Sequence, residues 1–170
     1  NLKLLFIRMN TMKCAISILI IYLSSSCGDS NAIRIDKEIL NGWELEESIK
    51  FEISDTIDFS SNIFFYLRNN NDYPFSNIFL IASLKSNQKV YETDTLEYMM
   101  ADNKGEWLGK GFSDIKESKL LWKRNWKPFF SPPYIFEIKQ ANRKIGQIKG
   151  DKYLSGILSL GLSIEKISNE

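Results

Sequence analysis

Leu158-Ser159-Leu160-Gly161-Leu162-Ser163-Ile164-Glu165 decides the fold, because every second residue is a large aliphatic and every intervening one is small or polar. A β-strand sends successive side chains to opposite faces, so this two-residue period marks a strand with one face in a core. The same period recurs upstream. Ile49, Phe51 and Ile53 alternate with Lys50 and Glu52, Ile78, Leu80, Ala82 and Leu84 repeat it, and Tyr134, Phe136 and Ile138 alternate with Glu137 and Lys139. Ile63, Phe65 and Leu67 share one face while Phe64, Tyr66 and Arg68 share the other, which predicts a central strand partly covered on both sides. Turn-forming residues separate the runs: Asn69 to Asp72 before Tyr73-Pro74, then Ser86-Asn87, Asp102-Asn103-Lys104-Gly105, Pro132-Pro133 and Gly150-Asp151. Parallel neighbours would need crossover helices that this pattern lacks. It therefore predicts an all-β fold, an antiparallel β-sandwich of about eight strands over residues 43–170, immunoglobulin-like or jelly-roll-like. At most two short helices are expected, over Glu117–Trp126 and over Gln140–Ile145 with Gly146 as its stop.

The other informative region is the beginning, Met12-Lys13-Cys14-Ala15-Ile16-Ser17-Ile18-Leu19-Ile20-Ile21-Tyr22-Leu23-Ser24-Ser25-Ser26-Cys27. A positive start, a short apolar middle and small residues at the cut are what a secretory signal needs. The apolar run is about half the roughly 20 residues of a membrane-crossing helix. A cysteine directly after the small residues can be acylated as the new first residue, so 1–26 reads as a lipoprotein signal, starting at Met9 or Met12, and Cys27 as the lipidation site. Leu23 lies four residues before Cys27, one further back than the usual lipobox aliphatic, with Ser24 in its place. The bland reading is a signal cut near Ser26 that leaves an ordinary cysteine. Residues 27–42 read as a flexible tether, with Gly28-Asp29-Ser30-Asn31 small and polar and the folded part beginning between Ile33 and Trp43.

Removing 1–26 takes Lys3, Arg8 and Lys13 and no acid, leaving 19 basic against 21 acidic residues in a chain of 144. That length suits one domain. A near-neutral domain lacks the electrostatic footprint of a nucleic-acid binder. Cys14 leaves with the signal and Cys27 would be modified, so no disulfide, zinc or redox pair is expected. The chain has no histidine, which rules out histidine-dependent triads and most zinc chemistry. An enzyme here would need a carboxylate pair or a Ser-Lys arrangement.

Asp102-Asn103-Lys104-Gly105 reads first as a turn, with an oxygen-rich cation loop using Asp94 and Asp102 as the functional alternative. A glycosidase on Asp94, Asp102 or Glu106, walled by Trp107, is a further one. Leu120 to Phe130 interleaves bases with aromatics, a composition suited to a headgroup layer, a glycan or an acidic partner. Its candidate partner-surface residues are Trp122, Lys123, Arg124 and Trp126. Against that stands an edge strand and loop whose aromatics fill the core. Arg143 is a candidate contact for a partner or a buried carboxylate, or else an exposed turn arginine. Tyr73-Pro74-Phe75 presets a turn, with Phe75 over one end of the core.

Several segments together resemble a known family: Tyr73-Pro74-Phe75-Ser76-Asn77-Ile78-Phe79-Leu80, Asp94-Thr95-Leu96, Ala101-Asp102-Asn103-Lys104-Gly105-Glu106-Trp107-Leu108-Gly109-Lys110-Gly111, Gln140-Ala141-Asn142-Arg143, and Gly156-Ile157 to Ile164-Glu165. In this order, and with the lipoprotein signal, they resemble the gliding-motility lipoprotein GldH family of Bacteroidetes-type bacteria over roughly Trp43 to Glu165. The chain departs from it at Asn142, where the family pattern leads one to expect methionine. The resemblance implies a lipid-anchored, non-enzymatic accessory of a gliding apparatus tied to a protein-secretion system. It implies no catalytic residues, no metal and no cofactor beyond acyl chains on Cys27. The expected partners are the membrane and other gliding or secretion envelope proteins, with no nucleic acid and no small-molecule substrate. Only Asp29 is acidic just after Cys27, which favours the periplasmic face of the outer membrane. The competing function is a lipid-anchored carbohydrate-binding sandwich of a polysaccharide-uptake system, marked by exposed coplanar tryptophans among Trp107, Trp122 and Trp126.

Overall fold

The computed structural model describes residues 32–143, 150 and 152–167. The signal, Cys27, Gly28 to Asn31 and Asp151 lie outside these residues. Every regular element among those described is a strand: β1 (Ala32–Glu38), β2 (Trp43–Glu44), β3 (Ser48–Ile53), β4 (Ser61–Asn69), β5 (Asn77–Ser86), β6 (Lys89–Met99), β7 (Lys116–Trp126), β8 (Tyr134–Gln140), β9 (Tyr153–Leu154) and β10 (Ile157–Lys166). Eight of them build two antiparallel four-stranded sheets, ordered β1-β10-β4-β7 and β3-β8-β5-β6, and β2 pairs with β9.

The alternating runs supply the core between the sheets. Ile63, Phe65, Leu67, Leu160, Leu162 and Ile164 face Ile78, Leu80, Ala82, Leu84, Phe136 and Ile138, all of them buried. Trp122 of one sheet stacks on Phe65 at 5.2 Å and meets Phe136 of the other edge-on at 6.0 Å. The deciding run departs from strict alternation at its start. The register slips between Ile157 and Ser159, and this bulge seats Ile157 in the core in place of Leu158. Gly161 lies on the other face of β10, where a Cβ would come within 2.2 Å of the Asp36 carboxylate and 3.3 Å of Tyr66. There Arg34 lies over the Tyr66 ring at 3.9 Å, and Glu165 accepts from Tyr66 Oη at 3.0 Å and from Lys119 Nζ at 2.8 Å.

Three expectations are corrected. Glu117–Trp126 is not a helix but most of β7, because Ser118, Leu120, Trp122 and Trp126 are buried on one face at strand spacing apart from a left-handed Asn125. Gln140 is the last residue of β8 and Ala141 to Arg143 are irregular, so no helix begins there; Lys144 and Ile145 lie outside the described residues. The stretch read as tether up to residue 42 contains β1, whose Ile33 and Ile35 pack on the core. Its charged residues had hidden the alternation, as suits an edge strand.

Consecutive strands mostly switch sheets, so the connections gather at two ends. The start of β1, the loops 54–60 and 127–133 and the β5–β6 turn form one end, where Ala32, Glu165, Ser61 and Trp126 are near register neighbours. Loops 70–76 and 100–115, the stretch 39–47 with β2, and the described residues 141–143 and 152–156 with β9 form the opposite end.

Candidate functional site

The end opposite the start of β1 carries Tyr73, Gly105, Trp107, Asn142 and Gly156 of the motif segments, and a buried polar network fixes their backbone. Asn142 sits just past β8 and is almost fully buried, and its side chain continues the sheet ladder where the strand stops. Asn142 Oδ1 accepts from Phe79 N at 2.8 Å, its Nδ2 donates to Tyr73 Oη and the Asn77 carbonyl at 3.3 Å each, and its backbone N–H donates to Gln140 Oε1 at 3.0 Å. Tyr73 Oη donates to the Asn77 carbonyl at 2.6 Å. Burial raises the Tyr73 phenol well above its ordinary pKa, against a smaller opposing effect of Asn142, so the hydroxyl stays protonated and serves as a donor. Gly156 has φ +76° and lies against Tyr73, where a Cβ would stand 2.1 Å from the Tyr73 nitrogen.

Over this base runs the 100–115 loop. Asp102 Oδ1 accepts from the backbone N–H groups of Lys104 and Glu106 at 2.8 and 2.9 Å, and Gly105 takes φ +84°. This is the turn reading of the motif: the carboxylate is occupied by backbone donors. Trp107 packs on Tyr73 at 6.1 Å and donates Nε1–H to Asn71 Oδ1 at 3.0 Å. Lys110 and Glu117 exchange backbone hydrogen bonds at 2.9 and 2.8 Å, closing a smaller loop in which a Cβ at Gly111 would meet the Ile115 carbonyl at 2.2 Å.

On this ordered backbone the side chains point outward. Phe112 is 97% exposed and Leu108 57%, with Met99 and Ile115 also exposed. Two shallow grooves of about 430 and 410 Å³ flank them and share Lys110 and Glu117. Folding alone gives no reason to leave Leu108, Phe112 and Ile115 in water on one fixed loop, with Met99 at the end of β6 lining the same groove as Leu108, whereas a docking surface does.

The residues singled out in sequence do not converge. Trp122 and Trp126 are core: Trp122 donates Nε1–H to Asp94 at 2.9 Å, and Trp126 lies edge-on to Tyr134 and Phe136 at 5.9 Å each. They are removed from the expected partner surface because strand spacing aims both inward. Lys123 bridges Glu92 and Asp94 of β6, closing the open side of the sandwich between two edge strands. Burial alone would lower the Lys123 pKa, but its bonds to Glu92 and Asp94 raise it overall; the Lys123 hydrogen bond in turn keeps Asp94 below the usual carboxylate value despite partial burial. Arg124 is exposed near the end of β7. Arg143 is exposed at the opposite end, lining an open groove of about 580 Å³ with Phe79, Ile81 and Lys139. Asn142, its neighbour, is the residue that holds this end together.

Asp94 is committed to Trp122 and Lys123, and Asp102 to its own turn. Neither is presented as half of a catalytic pair across a cleft. Among the described residues no cluster of three or more histidine, cysteine or carboxylate side chains could hold a metal ion, and no helix is long and apolar enough to cross a membrane.

The profile of the GldH lipoprotein family matches residues 34–164. A gliding motility lipoprotein GldH homolog of Christiangramia forsetii is 43% identical over 164 residues, which cover 93% of this chain and 100% of that protein. The gliding motility lipoprotein GldH of Flavobacterium johnsoniae is 37% identical over 160 residues, covering 93% and 99% respectively. With the match running from β1 into β10 and through every loop of the network, the chain belongs to the GldH lipoprotein family.

Proposed function

We propose that this protein is a lipid-anchored, non-enzymatic component of the gliding-motility machinery, held by acyl chains on Cys27 at the periplasmic face of the outer membrane. It acts through protein contacts made by the 100–115 loop. The observation that carries the contact surface is Phe112, almost wholly exposed on a loop whose backbone is pinned on both sides. A partner that covers Phe112, Leu108 and Ile115 gains their burial without ordering the backbone first. Anchoring adds to this, since a domain confined to a membrane plane meets its partners at high effective concentration and weak contacts suffice. Two or three acyl chains hold where one is marginal, at about 0.8 kcal/mol per buried methylene.

The carbohydrate-binding alternative needs exposed, coplanar tryptophans. Trp122 and Trp126 are buried, and Trp107 is half-buried with its ring against Tyr73, so it has little support.

The test pairs chemistry with function. Mass spectrometry of protein from its native cells should find Cys27 acylated. Phe112→Asp should abolish gliding while changing thermal stability by less than about 0.5 kcal/mol, as for an exposed site. Gliding that survives both Phe112→Asp and Leu108→Asp would remove the loop from the mechanism, and a bare Cys27 would remove the anchor.

A further inference from the structure

The end where β1 starts has its own exposed cluster, unrelated to the docking loop. Tyr91 and Phe130 stack in parallel with centroids 3.8 Å apart, and Phe129 meets them edge-on at 5.6 and 5.1 Å. The cluster is preformed, yet Phe129 remains 60% exposed and Val90 51%. Lys89 Nζ lies 4.7 Å from the Tyr91 ring centre, and Arg124 and Lys127 are exposed nearby in the chain. Among the described residues the acids of this end are Asp55 and Asp58 on the β3–β4 loop, Glu52 near the end of β3, and Glu92 and Glu165, which pair with Lys123 and Lys119.

We propose that Val90, Tyr91, Phe129 and Phe130, with Lys89 over the Tyr91 ring and Arg124 and Lys127 exposed at the same end, form a membrane seat that rests in the headgroup layer of the bilayer holding the anchor. The proposal rests on the reading of Cys27 as the lipidated residue. Its geometry comes from the chain. Ala32 begins β1 five residues after Cys27, a reach of at most about 18 Å even when fully extended. Ala32 pairs with Glu165 at the end where Trp126 closes β7 and packs on Tyr134, and Tyr134 meets Phe130 at 5.5 Å. The aromatic cluster is thus on the end held closest to the lipid. A folded protein of 100 residues has a radius of gyration of about 13 Å and is therefore roughly 30 Å or more across, too wide for the gap of at most about 18 Å that such a leash leaves. Headgroups fill that gap, and they suit this surface: aromatic rings favour the interface, and bases meet phosphate.

The protein purified from the membranes of its native cells, reconstituted in vesicles of phosphatidylcholine and phosphatidylglycerol, tests this with lipids brominated near the headgroup. Phe129→Trp should add emission that the bromines quench, whereas the emission added by Phe112→Trp at the opposite end should not be quenched. Each is read as the difference from the parent protein, whose melting temperature both variants should keep. Lys89→Gln with Lys127→Gln should weaken the Phe129→Trp quenching and reduce its dependence on salt. Absence of quenching at Phe129→Trp, or equal quenching at both positions, overturns the seat. So does shielding of Phe129→Trp from aqueous iodide by a co-purifying protein or glycan without bromine quenching. Mass spectrometry of the same sample separates the two readings. An acylated Cys27 with unquenched Phe129→Trp keeps the anchor and removes the seat, whereas a bare Cys27 removes the anchor and, with it, the leash that places the seat, whatever the quenching.

Discussion

Asn142→Ala is expected to be the costliest polar substitution in this protein. The β5–β8 pairing ends at Leu80 opposite Gln140, and the next N–H along β5, that of Phe79, is satisfied by Asn142 Oδ1 at 2.8 Å. Alanine leaves this N–H without an acceptor in a largely buried setting, worth about 1–3 kcal/mol. It also forfeits the two longer bonds at 3.3 Å to Tyr73 Oη and the Asn77 carbonyl. Tyr73 still donates to Asn77, so these add about half a kcal/mol each at most. The sum is about 1–4 kcal/mol, or roughly 3–16 °C in melting temperature for a domain of this size. Urea unfolding should move its midpoint with an unchanged slope, and the Phe79 amide should lose hydrogen-exchange protection selectively. Asn142→Met, the residue the family resemblance led one to expect, restores volume but not the acceptor and should still lose more than about 1 kcal/mol. A loss below about 0.5 kcal/mol in both variants, with Phe79 still protected, would refute the view that this side chain completes the ladder.

Gly156→Ala and Gly105→Ala share a left-handed backbone but differ in space, since a Cβ at 156 meets the Tyr73 nitrogen while one at 105 has nothing within 4 Å. Calorimetry should find about 1–2 kcal/mol lost at Gly105 and failure to fold, or a far larger loss, at Gly156. Trp126→Ala should cost about 3–5 kcal/mol by chemical denaturation, because both of its neighbours Tyr134 and Phe136 lose an edge-on partner. A cost under about 1 kcal/mol would return that residue to the surface. Acid should destabilise the fold through Asp94, Glu137 and Glu165. Lys123 lowers the pKa of Asp94, and at Glu137 and Glu165 burial opposes ionisation but the bonds from Lys85 and Lys119 outweigh it. A depressed folded-state pKa gives stability that is present above the unfolded value, near pH 4, and is lost as pH falls through the folded value. Melting temperature should drop below pH 4, and less steeply in Glu137→Gln with Glu165→Gln; identical slopes would discard the assignment.

The sheet interior was legible because burial on one side writes a period of two into the sequence, and Ile49 to Ile53, Ile78 to Leu84 and Tyr134 to Ile138 all face the core as that period requires. Where other forces decide, the period fails. β1 is an edge strand whose Arg34, Asp36, Lys37 and Glu38 look like a tether, and β7 mixes core tryptophans with Lys123, which bridges to the other sheet. Leu158 lost its core position to Ile157 through a bulge, which periodicity does not encode. The polar network was least legible. Asn142 is one amide beside a more conspicuous arginine, and only the end point of β8 reveals that its oxygen stands in for a missing strand. The exposed Phe112 and Leu108 had a fainter signal: large apolar residues beside Gly109 and Gly111 in a long connection, where no strand could bury them.

The strand order itself separates the two surfaces. β1 enters at one end, and each later sheet switch returns a loop to one end or the other, so no residue of the 100–115 loop can approach the start of β1 without unpairing β6 from β5 or β7 from β4. β6 and β7, 11 residues each, span about 36 Å at roughly 3.3 Å per residue. An anchor at Cys27 would therefore hold one end at the lipid and carry Phe112 to a fixed height above it, set by the length of β6 and β7 and not by a flexible arm. Lengthening the tether after Cys27 with ten glycine and serine residues removes that fixed height while leaving anchor, fold and loop intact. If gliding depends on the loop meeting its partner at a set distance from the bilayer, the lengthened protein should localise normally and glide poorly. Unimpaired gliding would mean that only anchoring and loop identity matter, and that the rigid span between the two ends is incidental.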